Sequence, residues 1–331
     1  MAGESQGMPK VDGFIPPRIL RGAYTQTILA SSRIRAVGDN PMKDAAQEMV
    51  FDAGDGVRLQ GFISRQRSGE PLGLVILLHG WEGSADSTYI LHSGRFFYRH
   101  GYDVFRLNFR DHGNTHHLNE GVFYAILLDE VFNTLKAASA LSGGRSVFLM
   151  GFSLGGNFAL RVARRCVEAP IENLRHVIAV SPAIDPSRAT DAIDGSPLLR
   201  WYFLRKWRRS LSIKQGLYPQ LYDFRDIMAV NTIRGLTDSL LKKYSSYKDT
   251  QEYFRGYSLT GESVRAIETP TTIIASRDDP AIPSRDFSEL VLGPSTRLVM
   301  HDFGGHNGFL EGVFDAAWYE RFALNTFSTS F

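Results

Sequence analysis

One serine stands out for chemistry. In "SVFLMGFSLGGNFAL", Ser153 sits between Gly151 and Gly155, with Gly156 following. An aliphatic run precedes it and a helix-like pattern follows. Glycines at this spacing belong to a turn so tight that neighbouring backbones nearly touch. Strand, Gly-x-Ser-x-Gly, helix is the setting of a nucleophile elbow, whose strained dihedrals hold the hydroxyl clear of the sheet. The helix N-terminus behind it favours developing negative charge. The plainer alternative is a strand-to-helix turn with Ser153 as N-cap.

A serine hydroxyl attacks only when a base takes its proton. The chain has nine histidines. His306, in "DFGGHNGFL", follows the last expected strand, and the glycines before it let the loop bend inward. His301 lies inside or at the end of that strand and has less reach. The acid that orients the base is expected after the penultimate strand, where "TTIIASRDDPAIP" supplies Asp278 and Asp279. Asp279 is the preferred partner of His306. Asp278 and, after the preceding strand, Asp185 are the alternatives, and turn chemistry accounts for any of the three. Two backbone donors must hold the oxyanion. The N–H of Leu154, next to the nucleophile, is one. The N–H of Trp81, in the loop "LLHGWEGS", is the other.

Elements must position these groups. "AQEMVFDAGDGVRLQGFISRQ" reads as two strands around Gly54-Asp55-Gly56. "LGLVILLHG", "YDVFRLNFR", "SVFLMG", "LRHVIAVSP", "PTTIIASRDDP" and "STRLVMHDF" read as further strands. Helical patterns alternate with them: "STYILHSGRFFYRHG", "GVFYAILLDEVFNTLKAASAL", "SLGGNFALRVARRCVEA", "PSRDFSELVL" and "GFLEGVFDAAWYERFALNTF". Such alternation predicts a parallel sheet covered by helices on both faces. It stops between about Ala183 and Glu268, a stretch read as a helical cap over the substrate pocket. The expected organisation is an irregular arm over 1–45 packed on the core, a core over 46–182 and 269–331, and a cap over 183–268.

Composition bounds the function. The 331 residues are 43% hydrophobic and the net charge is +2, which gives no reason to expect nucleic acid as a partner. A lone cysteine, Cys166, rules out an intrachain disulfide and suits a reducing compartment. It reads as helix packing. The start "MAGESQGMPKVDGFIPP" lacks a basic and an apolar region, and the longest apolar runs are too short to cross a bilayer. A cytoplasmic protein is expected.

The whole set of motifs resembles the α/β-hydrolase superfamily and, within it, the YheT-like branch of hydrolases and esterases. The matching stretches are "FIPPRILRGAYTQTI", "LLHGWEGSADSTYI", "GYDVFRLNFRDHG", "GFSLGGNFAL", "SRDDPAIP" and "GGHNGF", from about residue 14 to 310. The chain order of nucleophile, acid and histidine is that superfamily's. The resemblance implies an α/β-hydrolase fold with a mostly parallel sheet and a helical cap inserted before the penultimate strand. It implies Ser153, Asp279 and His306 as a triad, and cleavage of carboxylic esters, some of them lipids, without a cofactor or metal. Two stretches depart from the branch. Arg110-Asp111-His112-Gly113 stands where the branch has Arg-Gly-Cys or similar, and Tyr24 stands where it has a histidine before Gln-Thr. Both bear on substrate more than on reaction.

Other readings compete. An acyltransferase or thioesterase would use the same site, and a ligand-binding scaffold would keep the triad with little turnover. "DHGNTHHLNE" gathers His112, His116 and His117 with Asp111 and Glu120, but matches no zinc spacing and reads as a polar loop at the pocket rim. "RWYFLRKWRRSLSIK", residues 200–214, is basic and aromatic with no acid. It reads as a cap helix with aromatics on the core and charges in water, or as a contact with an anionic membrane surface or lipid headgroup.

Overall fold

The computed structural model describes residues 13–330. The first twelve residues of the expected arm, on which most of the leader reading rests, lie outside them. The remainder of the arm is not irregular. It forms α1 (Ala23–Ser31) and α2 (Pro41–Asp44), with single 3-10 turns at Arg18–Leu20 and Arg33–Ala36. No side chain caps α1 at Gly22. Tertiary contacts hold it instead, because Gln26 and Ala30, four apart on one face, are both fully buried.

The next elements are β1 (Ala46–Asp52), β2 (Arg58–Ser64), β3 (Leu74–Leu78), α3 (Thr88–Arg99), β4 (Asp103–Leu107), α4 (Leu128–Ala140), β5 (Val147–Phe152), α5 (Leu154–Arg165) and β6 (Leu174–Val180). A helical stretch then intervenes: α6 (Pro186–Gly195), α7 (Pro197–Leu217), α8 (Arg225–Met228), α9 (Ile233–Tyr244) and α10 (Thr250–Arg255). The alternation resumes with β7 (Thr271–Ser276), α11 (Arg285–Ser288), β8 (Thr296–His301) and α12 (Trp318–Ser328).

The strands form one sheet in the order β1-β2-β4-β3-β5-β6-β7-β8. β2 runs antiparallel to β1 and β4, and every other pair is parallel. Alternate residues of the central strands enter different layers. Leu74, Ile76 and Leu78 pack with α4 and α5, while Val75 and Leu77 pack with α3 and α12. Burial on both faces is why these strands are continuous aliphatic runs.

Three expected helices are shorter than their sequence pattern. Residues 121–127 stay in a loop because side chains take up their backbone: Phe123 N–H donates to Asp111 and Ala125 N–H to the Tyr253 hydroxyl. The stretch before α12 stays open, with Asn307 and Phe309 at positive φ. The helix expected from Pro283 is reduced to α11.

The chain leaves β3 for β4 on one side and returns to β5 on the other. Leu78 therefore lies opposite Gly151, at the carboxyl ends of both strands. A crevice opens at such a switch point, and ligands of open α/β sheets bind there.

Candidate active site

Ser153 has φ 55° and ψ −116°, a conformation that L-residues avoid. Its N–H donates to Val180 O at 2.9 Å, and its side chain makes no cap hydrogen bond. Holding such a residue costs about 1–3 kcal/mol, so its surroundings must impose it. They do so by close packing. A Cβ on Gly151 would lie 2.1 Å from Gly155 O, and one on Gly155 would lie 2.4 Å from Leu78 O. The first turn of α5 thus presses on the end of β3, and only glycine fits at either point.

His306 comes from the loop after β8, at the far edge of the sheet, and its backbone is bent to reach Ser153's neighbourhood. Gly304 and Gly305 have φ 147° and 52°, and Asn307 has φ 63°. Three contacts pin the bend: Ser276 Oγ donates to Gly305 O, Gly305 N–H to Asp278 Oδ1, both at 2.9 Å, and Asn307 N–H to Ser181 Oγ at 3.3 Å. Asp279 Oδ2 lies 2.9 Å from His306 Nδ1 and Oδ1 lies 3.1 Å away. Oδ1 also accepts from the N–H groups of Ala281 and Ile282 at 2.8 and 3.0 Å, which fixes the carboxylate. Asp278 holds the loop rather than the ring. Asp185 caps α6 through Ser187 N–H and Arg188 N–H and pairs with the Arg188 guanidinium at 3.3 Å. His301 packs edge-on against Trp318 at 4.4 Å.

The arm supplies residues to which the sequence attached no chemistry. Thr27 Oγ1 accepts the His306 N–H at 2.9 Å. The Gln26 amide bonds Leu310 twice, donating to its carbonyl at 2.9 Å and accepting its N–H at 2.8 Å. It also donates to Leu20 O at 2.7 Å. The signal was present as the Gln-Thr-Ile stretch, but its partners are about 280 residues away in the chain.

Leu154 is the first residue of α5, where a helical N–H has no intrahelical acceptor. Trp81 lies in a turn closed by Gly83 N–H donating to Gly80 O at 2.9 Å, with Glu82 at φ 55°. The turn rests on His79, fully buried, whose Nδ1–H donates to Gly80 O at 2.7 Å and whose Nε2 accepts Phe109 N–H at 3.3 Å. Burial, with His112 and Lys206 nearby, holds its pKa well below that of an ordinary histidine. The Trp81 indole stacks on Phe203 at 5.2 Å and meets Trp207 edge-on at 5.0 Å, both from α7.

Ser153 and His306 line two cavities that meet at the serine. One, of about 110 Å³, is walled by Trp81, Phe123, Ile193, Phe203, Leu240, Phe254 and Ile282. The other, of about 500 Å³, is polar and includes Arg33, Glu82, Asp111, His112, His116, Lys206 and Arg209.

The basic aromatic segment has three faces within α7. Phe203 and Trp207 turn to the site, while Lys206 and Arg209 line the polar cleft. Trp201 is 58% exposed, with the Arg205 guanidinium 5.6 Å from its ring. Lys214 is not a solvated charge: it is buried and donates to Asp111 Oδ1 at 2.8 Å, tying α7 to the loop after β4. The expectation of charges in water fails there. His112 Nδ1–H donates to Arg110 O at 2.7 Å, and His116 Nε2 shares a hydrogen bond with Ser210 Oγ at 2.8 Å; burial pushes the pKa of each down to about 4. Among the described residues no group of three His, Cys, Asp or Glu side chains is arranged to hold a metal ion. Cys166 is buried at the end of α5. No helix among the described residues is long and apolar enough to cross a membrane.

Comparison with known proteins agrees with this architecture. Residues 69–311 match the family described as serine aminopeptidase, S33. An abhydrolase domain-containing protein of Dictyostelium discoideum is 22% identical over 326 residues, covering 96% of this chain and 81% of that protein. Phospholipase ABHD3 of Bos taurus is 21% identical over 245 residues, covering 72% of this chain and 59% of its own length. Among solved structures, a Pyrococcus furiosus esterase superposes with a TM-score of 0.54 at 19% identity, covering 89% of this chain and 96% of that one. The fold is the α/β-hydrolase fold, and the chain belongs to the α/β-hydrolase superfamily, within the family described as serine aminopeptidase, S33.

Proposed function

We propose that this hydrolase cleaves carboxylic esters through an acyl-enzyme, with Ser153, His306 and Asp279 as its triad. One observation carries the reading. Ser153, strained at the elbow, and His306, backed by Asp279 at 2.9 Å, line the same apolar cavity. In the proposed cycle Ser153 Oγ attacks the ester carbonyl while His306 Nε2 takes its proton. Asp279 accepts the Nδ1–H and stabilises the imidazolium. The amides of Leu154 and Trp81 receive the oxyanion. His306 returns the proton to the leaving alcohol, and water then frees the acyl group by the reverse sequence.

The apolar cavity is read as the acyl site. Its volume of about 110 Å³ and its aliphatic and aromatic walls suit an acyl chain of medium length. The ABHD3 relative is named a phospholipase, which accords with an acyl ester. The family description also names aminopeptidases. An N-terminal ammonium would require a free carboxylate, whereas Asp111 is paired with Lys214 and Asp86 with Arg106. The YheT-like motifs and the single buried cysteine support assignment to that branch and to the cytoplasm.

The test is direct. A fluorophosphonate probe labels the wild type and not Ser153→Ala. A 4-nitrophenyl ester series peaks at a medium chain length rather than at acetate or palmitate, and an aminoacyl nitroanilide is cleaved far more slowly. Absence of labelling and of turnover on every ester would favour a binding scaffold.

A contact with an anionic membrane surface is a separate proposal. Trp201 is exposed on α7 with Arg205 over its ring, and Leu198 and Leu217 are exposed elsewhere on the same helix. Trp201→Ala with Arg205→Gln reduces pelleting with anionic vesicles; unchanged pelleting removes the idea.

A further inference from the structure

We propose that the polar cleft beside Ser153 seats the alcohol half of the substrate, and that this alcohol carries a phosphate or similar anionic group. The proposal rests on the ester-hydrolase reading and adds the leaving-group class.

The two cavities divide at the serine. An ester bound there must send its acyl chain one way and its alcohol the other. The apolar cavity suits the chain, which leaves the cleft of about 500 Å³ for the alcohol.

The cleft is cationic once its ion pairs are counted. Arg33 comes from the turn after α1; Lys206 and Arg209, one turn apart, come from α7. Of the carboxyls on the cleft, Asp111 is paired with Lys214 at 2.8 Å and Asp86 with Arg106 at 3.0 Å. Burial pushes the Glu82 carboxyl up to about 8 against the opposing pull of Lys206, so its negative charge at neutral pH is reduced. Among the described residues no acidic side chain forms a salt bridge with Arg33, Lys206 or Arg209. Lys206 is also oriented, since its Nζ donates to Glu82 O at 2.6 Å. A cationic ligand is repelled here and a neutral one gains nothing from the three charges. An anionic alcohol gains from each. The anionic group takes no part in bond changes: His306 protonates the alkoxide oxygen, and the charge leaves with the alcohol.

A matched pair of esters tests this: 4-octanoyloxybenzenesulfonate and its neutral sulfonamide analogue. Each partly exposed charge contributes a few-fold, so the wild type should favour the sulfonate by about tenfold in kcat/KM at low salt. The preference should shrink in 0.5 M salt. It should fall in Arg33→Gln/Arg209→Gln and approach one when Lys206→Gln is added. Taking the ratio cancels any general loss of activity or folded enzyme, and the double variant alters only exposed side chains. A wild-type ratio near one overturns the proposal, as does a ratio that the substitutions leave unchanged.

Two further arms identify the source of the anion. Hydrolysis of monomeric 1-octanoylglycerol 3-phosphate indicates a soluble phosphoester. Hydrolysis of phosphatidylglycerol only in vesicles indicates a lipid headgroup. Cleavage of the neutral sulfonamide ester with neither of these overturns the proposal. Failure to cleave any ester defeats the hydrolase reading instead, and the cleft is then read by tryptophan quenching with glycerol 3-phosphate. Quenching that requires Arg33 and Arg209 supports the site; its absence overturns it.

Discussion

Gln26→Leu tests whether the arm is a structural part of the candidate site. The side chain is fully buried and makes three hydrogen bonds, to Leu20 O, Leu310 O and Leu310 N–H. Leucine matches its bulk and offers none of them. Each buried backbone group left without a partner costs about 1–3 kcal/mol, with carbonyls at the lower end. Two carbonyls and one N–H therefore give a loss of about 4 kcal/mol. Unfolding entropy of about 2.1 cal/mol/K per residue, over 331 residues, converts this to a fall in Tm of about 6 °C. The assay is thermal unfolding by circular dichroism, with ester kinetics at 25 °C beside it. Leu310 lies four residues beyond His306 in the same pinned loop, so kcat should fall more than KM rises. Thr27→Val removes the acceptor of the His306 N–H and a donor to Ala23 O within α1, and should lower kcat with a smaller Tm change. A Tm shift below about 1 °C for Gln26→Leu, with unchanged kcat, would refute the reasoning.

Further outcomes follow from the same geometry. Asp279→Asn presents an amide to His306 Nδ1 and favours the wrong tautomer, so kcat should fall by about 10⁴ while circular dichroism still shows a folded protein; a loss under tenfold contradicts the assigned role. Lys214→Met leaves Asp111 buried without its cation and should cost about 3–5 kcal/mol in urea denaturation, much of it recovered in Lys214→Met/Asp111→Asn. His112 is held neutral, with its pKa down at about 4 against 6.5 unfolded, so the unfolded state binds the extra proton between these values and stability is lost as pH falls. From pH 7 to pH 5 this one group removes about 2 kcal/mol. Glu82, raised to about 8, acts in the opposite direction, so the quantity to compare is wild type minus His112→Gln, in which Glu82 cancels. An identical pH slope in the two proteins would contradict the assignment.

Local pattern was enough for much of this molecule. Continuous aliphatic runs marked the strands because burial on both faces admits little else, and Gly54-Asp55-Gly56 marked the hairpin because its backbone needs positive φ. Gly151 and Gly155 marked the elbow because a Cβ at either would strike backbone. Helix ends were poorly legible. The segment 121–127 has a helical pattern, yet Asp111 and Tyr253, distant in sequence, claim its N–H groups. The arm was misread for a related reason: α1 lacks a cap and is held by what buries Gln26 and Ala30.

The site divides in the same way. Residue type and spacing alone singled out Ser153 and His306 and preferred Asp279 as the acid, with Asp278 and Asp185 left as alternatives. Only the folded chain decided that Asp279 faces the imidazole while Asp278 holds the loop, since adjacent side chains diverge according to the turn that carries them. Only the folded chain brought Arg33 to Lys206 and Arg209, and paired Asp111 with Lys214. Short-range sterics and hydrophobic period are written into neighbouring residues. Charge balance in a cleft depends on which distant segments share it, and that is settled by packing.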